Sequence, residues 1–265
     1  MNYRPSTTTT VSACLVAALL LLPNIIAIPA SFTDLSYLSL PKDGLSFHHY
    51  VRFAESESWR GAFLLSLTTS LIAAVAATVL GTACAVGMWG HSTSVRNFIR
   101  ALVLLPLAVP GILAALSFYL LFTRIGLYDT VLGVIVVQIV VGLPFAVISA
   151  STGLAMLDDR QVRASRSMGA GPWRTLFSVV LPNIKGAILS GFVLAFVSGW
   201  DEAVITLFVT GRHVQVLPRK IWDSLRYDID PIVAVVATIM FVSTFLGVLA
   251  FTRAAARQQR RVRHK

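Results

Sequence analysis

Charge is scarce in this sequence: 13% of its 265 residues are Asp, Glu, Lys or Arg, 56% are hydrophobic, and the mean hydropathy is +0.76. So little charge excludes an ordinary soluble domain, in which about 25% of residues carry it. Cysteine is nearly missing. Cys14 and Cys84 sit in apolar runs without metal-ligand spacing, which points to small packing residues and away from a disulfide framework. No G-x-x-x-x-G-K-[ST] sequence occurs, so the chain has no phosphate-cradling loop of that kind with which to hydrolyse ATP. H-E-x-x-H and G-x-S-x-G are missing too, and His48 with His49 lack a spaced third ligand. With no paired nucleophile and base, neither catalytic nor metal-binding residues are expected, and no cofactor. Nor does any segment alternate like a lipid-facing barrel strand, which leaves helices.

Long apolar runs are present, near residues 11–29, 62–88, 100–122, 130–151, 187–209 and 231–252. Each approaches or exceeds the roughly 20 residues that cross a hydrocarbon layer about 30 Å thick. The expected fold is an all-α integral membrane protein with six transmembrane helices, a single transmembrane domain over residues 1–265. The first run ends between Pro23 and Pro29 without a clean small-residue cleavage pattern and is read as a retained helix. Pro106, Pro110 with Gly111, and Gly142 with Pro144 are expected to kink the third and fourth spans. Gln138, in the middle of the fourth, is read as an amide that joins helices.

The net charge of +10 poses a choice between nucleic acid and membrane orientation, and position decides it. Arg4, then Arg96 and Arg100, then Arg160, Arg163, Arg166, Arg174 and Lys185, then a tail RAAARQQRRVRHK over 253–265, fall in alternate loops. This bias places both termini in the cytoplasm and gives the basic tail a retention role, with no nucleic acid involved.

The cytoplasmic loop over 152–186 reads as two short helices. Gly169 and Gly171 end the first, Pro172 opens the second, and Pro182 ends it. On the second, Trp173, Leu176, Phe177 and Val180 recur at helical spacing and form an apolar face for either a partner protein or the chain's own helix ends. Further on, Asp201 and Glu202 lie about 22 Å past the inner end of the fifth span at 1.5 Å per residue. A carboxylate at such depth costs on the order of 2.5–3.5 kcal/mol. It either lines a translocation path and holds a cationic solute or makes a helix contact or cap, with Arg212 a possible partner. Adjacent residues point about 100° apart, so at most one faces a path. Trp200 beside them suits a cation–π contact or an interfacial anchor.

The stretch R-A-S-R-S-M-G, followed by L-P at Leu181 and Pro182, resembles the signature loop of binding-protein-dependent ABC importer permeases, commonly E-A-A-x-x-x-G ending in I-x-L-P. Ala164, Gly169, Leu181 and Pro182 match, while Arg163, Ser165 and Val179 stand where the family usually has Glu, Ala and Ile. The stretches SFTDLSYLSLPKDGLSFHHY and GWDEAVITLFVTGRHVQVLPRKIWDSLRYDIDPIVAVVATIM are similar to the spermidine/putrescine branch of that family, its C-type subunit. The resemblance implies a MetI-like permease fold in a bacterial inner membrane. It implies a coupling helix that seats in a separate ATP-binding cassette ATPase through Arg163, Ala164, Ser165, Gly169, Ala170, Pro172 and Trp173. It also implies a second homologous permease subunit and an extracytoplasmic solute-binding protein, with polyamines or related amino compounds as solute. Trp200, Asp201 and Glu202 are the expected path residues. The competing expectation is a stand-alone carrier or channel driven by an ion at Asp201 or Glu202, against which stands the lack of an internal repeat. An intramembrane enzyme or scaffold has no residues to support it.

Overall fold

The computed structural model describes residues 7–42, 44–227 and 229–263, with side chains left out at 7, 17, 20–25 and 250–263. The expected contributions of Arg4 and of the basic side chains of the tail therefore lie outside the described residues. Described secondary structure is entirely helical: α1 (Thr7–Ala30), α2 (His48–Glu55), α3 (Glu57–Trp89), α4 (Thr93–Ala108), α5 (Gly111–Ile125), α6 (Val131–Ala155), α7 (Asp159–Ser167), α8 (Pro172–Thr175), a π turn (Leu176–Val180), α9 (Leu181–Trp200), α10 (Val204–Val209), α11 (Leu217–Tyr227) and α12 (Ile232–Arg263).

Among the described residues, four helical runs are long and apolar enough to cross a membrane: Glu57–Trp89, Val131–Ala155, Pro172–Trp200 and Ile232–Leu249. The run expected over 11–29 falls inside α1. The one expected over 100–122 is not a single rod. It is α4 and α5, which meet at 99° across Val109 and Pro110, and counting the pair as one span brings the total to five. Pro110 is extended and serves as N-cap of α5, a position where the missing N–H is harmless. Pro106 and Pro144, by contrast, lie inside continuous helix.

The run expected over 187–209 also differs. Helix begins much earlier, at Pro172, and ends at Trp200, with Asp201–Ala203 separating it from the short α10. Pro182 does not end the second loop helix, because the π turn immediately before it widens the coil. There the Leu181 N–H donates to the Leu176 carbonyl five residues back, which eases the clash of a proline ring with the preceding turn. Asn183 Nδ2 then donates to the Val179 carbonyl at 2.6 Å, a side-chain donor beside the position where Pro182 has none.

The chain divides into two compact units: one comprises the chain up to Arg60 with Ile221–Gly247, the other Gly61–Lys220 with the chain from Val248 onward. In the first, the α1–α2 connection folds around Phe32, Phe47 and Tyr50, whose rings lie 5.1–5.9 Å apart. Arg52 reaches Asp230 with both guanidinium nitrogens at 3.2–3.3 Å, and Asp230 also accepts the Ile232 N–H at the start of α12. Arg52 Nη1 stands 3.2 Å from His49 Nδ1 and can only donate, so Nδ1 accepts and the buried imidazole donates from Nε2 to the Leu35 carbonyl.

In the second unit α6 packs along α9 through small residues. A Cβ on Gly153 would stand 2.6 Å from the Ala187 Cβ, and one on Gly191 would stand 3.1 Å from the Ala146 Cα. Lipid is as apolar as leucine, so such helices gain from close van der Waals contact, and small side chains permit it. Ala74 and Ala77 of α3 meet Ala195 of α9 in the same manner. Gln138 crosses this packing: its Nε2 donates to Ser70 Oγ at 3.2 Å and to the Gly199 carbonyl at 3.1 Å, joining α3, α6 and α9.

Candidate functional site: an exposed elbow and a helix break

The elbow between α6 and α9 is built from a cap, a left-handed turn and a hydroxyl brace. Asp158 starts α7 by accepting the Arg160 N–H at 2.9 Å, the usual use of Asp at an N-cap. The helix stops at Met168 because Gly169 takes φ +82°, a conformation that glycine reaches at little expense. The Gly169 N–H then bonds the Arg166 carbonyl and the Ala170 N–H bonds the Ser165 carbonyl. Gly171 and Pro172 open α8. Ser165 and Thr175, both buried, face each other with their oxygens 3.1 Å apart and fasten α7 to α8. Behind them Val162, Leu154, Val180 and Ile184 form the elbow's own core.

The apolar face expected on the second loop helix is divided by this arrangement. Val180 is buried and Leu176 is half-buried against that core, whereas Trp173 and Phe177 are 72% and 64% exposed and stack at 6.4 Å between ring centres. Arg163, Ala164, Gly169 and Pro172 are exposed, Ala170 is half-buried, and Ser165 points inward. Periodicity alone could not make this division, because it was blind to the brace and to the core supplied by α6. A groove of about 600 Å³ lies beside the elbow, lined by Gln161, Met168, Ala170, Arg174, Ser178 and Asn183 among others.

The second cluster expected from sequence lies at the break after α9. Trp200 is buried, 5.6 Å from the Phe63 ring and stacked 5.9 Å from Phe196, and its indole N–H has no partner. Asp201 is exposed and ends α9, and no contact of its carboxylate is observed. Glu202 accepts the Ile205 N–H at 2.9 Å, which starts α10. Neither carboxylate lies within helix, and among the described residues neither forms an ion pair with Arg212. The spacing argument assumed continuous helix, and the break moves both acids off it.

Sequence reading missed Asp129. It adopts φ 54°, and its carboxylate accepts the N–H groups of Gly211, His213 and Val214 at 2.7–3.0 Å. Burial pushes its carboxyl up, but the bonds from His213, Val214 and Gly211 and the nearby His213 charge prevail and hold it below its ordinary value. The sequence signal was Y-D-T before an apolar run, an Asp where a left-handed residue is tolerable.

The family described as the binding-protein-dependent transport system inner membrane component matches residues 77–264. The spermidine/putrescine transport system permease protein PotC of Escherichia coli K12 is 29% identical over 233 residues, 88% of each chain. The putrescine transport system permease protein PotI of the same organism is 28% identical, covering 83% of this chain and 81% of its own. Among solved structures, a bacterial ABC transporter involved in import of the acidic polysaccharide alginate superposes with a TM-score of 0.68 at 16% identity, over 96% of this chain and 94% of that one. The MetNI methionine ABC transporter gives 0.64 at 16%, over 76% and 98%. The family match takes in both the bent pair and the elbow, and it establishes that this chain belongs to the binding-protein-dependent transport system inner membrane components, the permeases of ABC importers.

Proposed function

We propose that the α7–α8 elbow is the coupling contact of this importer permease, that it seats in a separate ATP-binding cassette ATPase on the cytoplasmic side, and that both termini share that side. The observation that carries the reading is the stacked Trp173–Phe177 pair, left exposed on a turn braced by Ser165 and Thr175. An aromatic pair held rigidly in that way is already organised for burial by a partner, so little ordering entropy is lost on docking. Gly169 gives the sharpest test. A Cβ there meets nothing within 4 Å inside the chain, so a side chain added at that position starts into open space, where a docked partner would meet it. Asn tolerates the left-handed turn, whereas Val or Leu is strained in it. Gly169→Asn and Gly169→Leu should both fold. Co-purification with the ATPase should fall in order of side-chain bulk, and undiminished ATP-driven uptake by Gly169→Leu would remove the elbow from the coupling contact.

The solute belongs to the polyamine class or a related small amino compound, delivered by an extracytoplasmic binding protein and passed through a path shared with a second homologous permease. The names of the PotC and PotI relatives support that class. Chemistry agrees, since Asp201 offers an exposed carboxylate at the end of α9 while Glu202 spends one oxygen on the Ile205 N–H. Asp201 is therefore the residue we assign to attracting a cationic solute, and Glu202 the one that shapes the break. Calorimetric titration of the cognate binding protein with spermidine, putrescine and neutral amino compounds checks the solute class without disturbing this chain.

A further inference from the structure

The elbow carries a second feature besides its aromatic pair, and it concerns charge. Arg160, Arg163 and Arg166 on α7 and Arg174 on α8 are all exposed, and among the described residues none of them forms an ion pair. At 100° per residue the three on α7 fan over about 120° of one flank, next to the stripe that buries Val162 and Ser165. The acids nearest in sequence do not neutralise them. Asp158 is engaged in capping α7, and Asp159, one turn before Arg163, makes no ion pair with it. Arg174 follows Trp173 in the chain and lines the groove with Met168 and Ala170.

Resting on the coupling reading above, the geometry points to an ATPase groove with an acidic rim, in which carboxylates meet Arg163 and Arg166 while an apolar floor takes Trp173 and Phe177. Guanidinium is suited to bidentate pairing with carboxylate, and an apolar centre within a charged rim is the usual anatomy of a protein interface. The brace between Ser165 and Thr175 favours a protein over a lipid surface, because fixed geometry serves a shaped groove and adds nothing against mobile headgroups.

The test uses the complete transporter in nanodiscs. Arg163→Glu with Arg166→Glu should weaken retention of the ATPase by on the order of tenfold or more, and exchanging a rim carboxylate of the ATPase for Lys should restore it. Arg163→Lys with Arg166→Lys should retain most of the binding. Wild-type dissociation should rise steeply with sodium chloride, a reading that needs no variant to fold. An unchanged affinity in the Glu pair, or a flat salt response, overturns the acidic rim; if Trp173→Ala still releases the ATPase in that experiment, the coupling reading survives alone. If the Glu pair keeps the ATPase but loses transport only in nanodiscs containing anionic lipid, the arginines serve lipid phosphates and the proposal is also overturned.

Discussion

Asp129 holds Gly211 by accepting its N–H at 2.7 Å, and the Asp129 N–H in turn donates to the Val209 carbonyl at 2.9 Å. One residue in a left-handed turn thus ties the α5–α6 connection to the loop that follows α10. Asp129→Ala should lower the thermal midpoint in detergent by several degrees, since hydrogen bonds to a charged group contribute about 1.5–3 kcal/mol each and the neighbouring N–H groups would be left bare. Because the folded carboxyl titrates below its ordinary value, the stability it adds is complete above the unfolded pKa of about 3.9 and is lost as pH falls through the lower folded value. Thermal unfolding should show an acid limb below about pH 4 that Asp129→Asn shares only weakly, with no change near neutrality from this group.

Trp173 and Phe177 pack against one another and little else, so Trp173→Ala should shift the melting midpoint by about 1 °C or less, within the range of exposed substitutions. Retention of the ATPase should nonetheless fall by on the order of 100-fold, as for a buried aromatic anchor. Pull-down and thermal melting on the same preparation separate the two effects.

Gly153 and Gly169 should fail differently. Gly153→Val places side-chain atoms against Ala187 and Ile184 and drives α6 from α9, so protein should not accumulate in the membrane. A Cβ at Gly169 meets nothing within 4 Å, so the penalty of Gly169→Val comes chiefly from its φ of +82°, on the order of 1–3 kcal/mol. Membrane-fraction yield distinguishes the two.

Asp201→Asn and Glu202→Gln form a matched pair. The first should raise the solute concentration for half-maximal uptake several-fold while leaving the melt unchanged, because its carboxylate makes no contact within the chain. The second should shift the melt by less than a few degrees, since a neutral oxygen still accepts the Ile205 N–H. Uptake kinetics in proteoliposomes read the first effect and calorimetry the second.

Much of the membrane architecture was legible because apolar length is a one-dimensional property: residues 62–88 fall within α3, and the runs 130–151 and 231–252 lie within α6 and α12 except for the first residue of each. Gly169 and Pro172 were legible from their backbone chemistry. The break at Asp201 was not, since V-S-G-W-D-E-A-V-I continues an apolar run and nothing local announces that Glu202 will restart a helix. Pro182 misled for the converse reason: a π turn absorbs the ring, and whether a coil widens is decided by Val180 and Ile184 packing against Ala150 and Leu154, far away in sequence. Asp129 was invisible because its three donors come from residues more than eighty positions distant.

The unbroken run from Pro172 to Trp200 spans about 43 Å at 1.5 Å per residue. Trp173 and Trp200 are consequently the two ends of one stiff lever. On the coupling reading proposed above, a tilt imposed at Trp173 is delivered to Asp201 as a swing, along a helical run whose one irregularity is the π turn over Leu176–Val180. With the elbow as the proposed coupling contact and Asp201 as the proposed counter-charge, work done by nucleotide closure and the position of that carboxylate become mechanically a single variable.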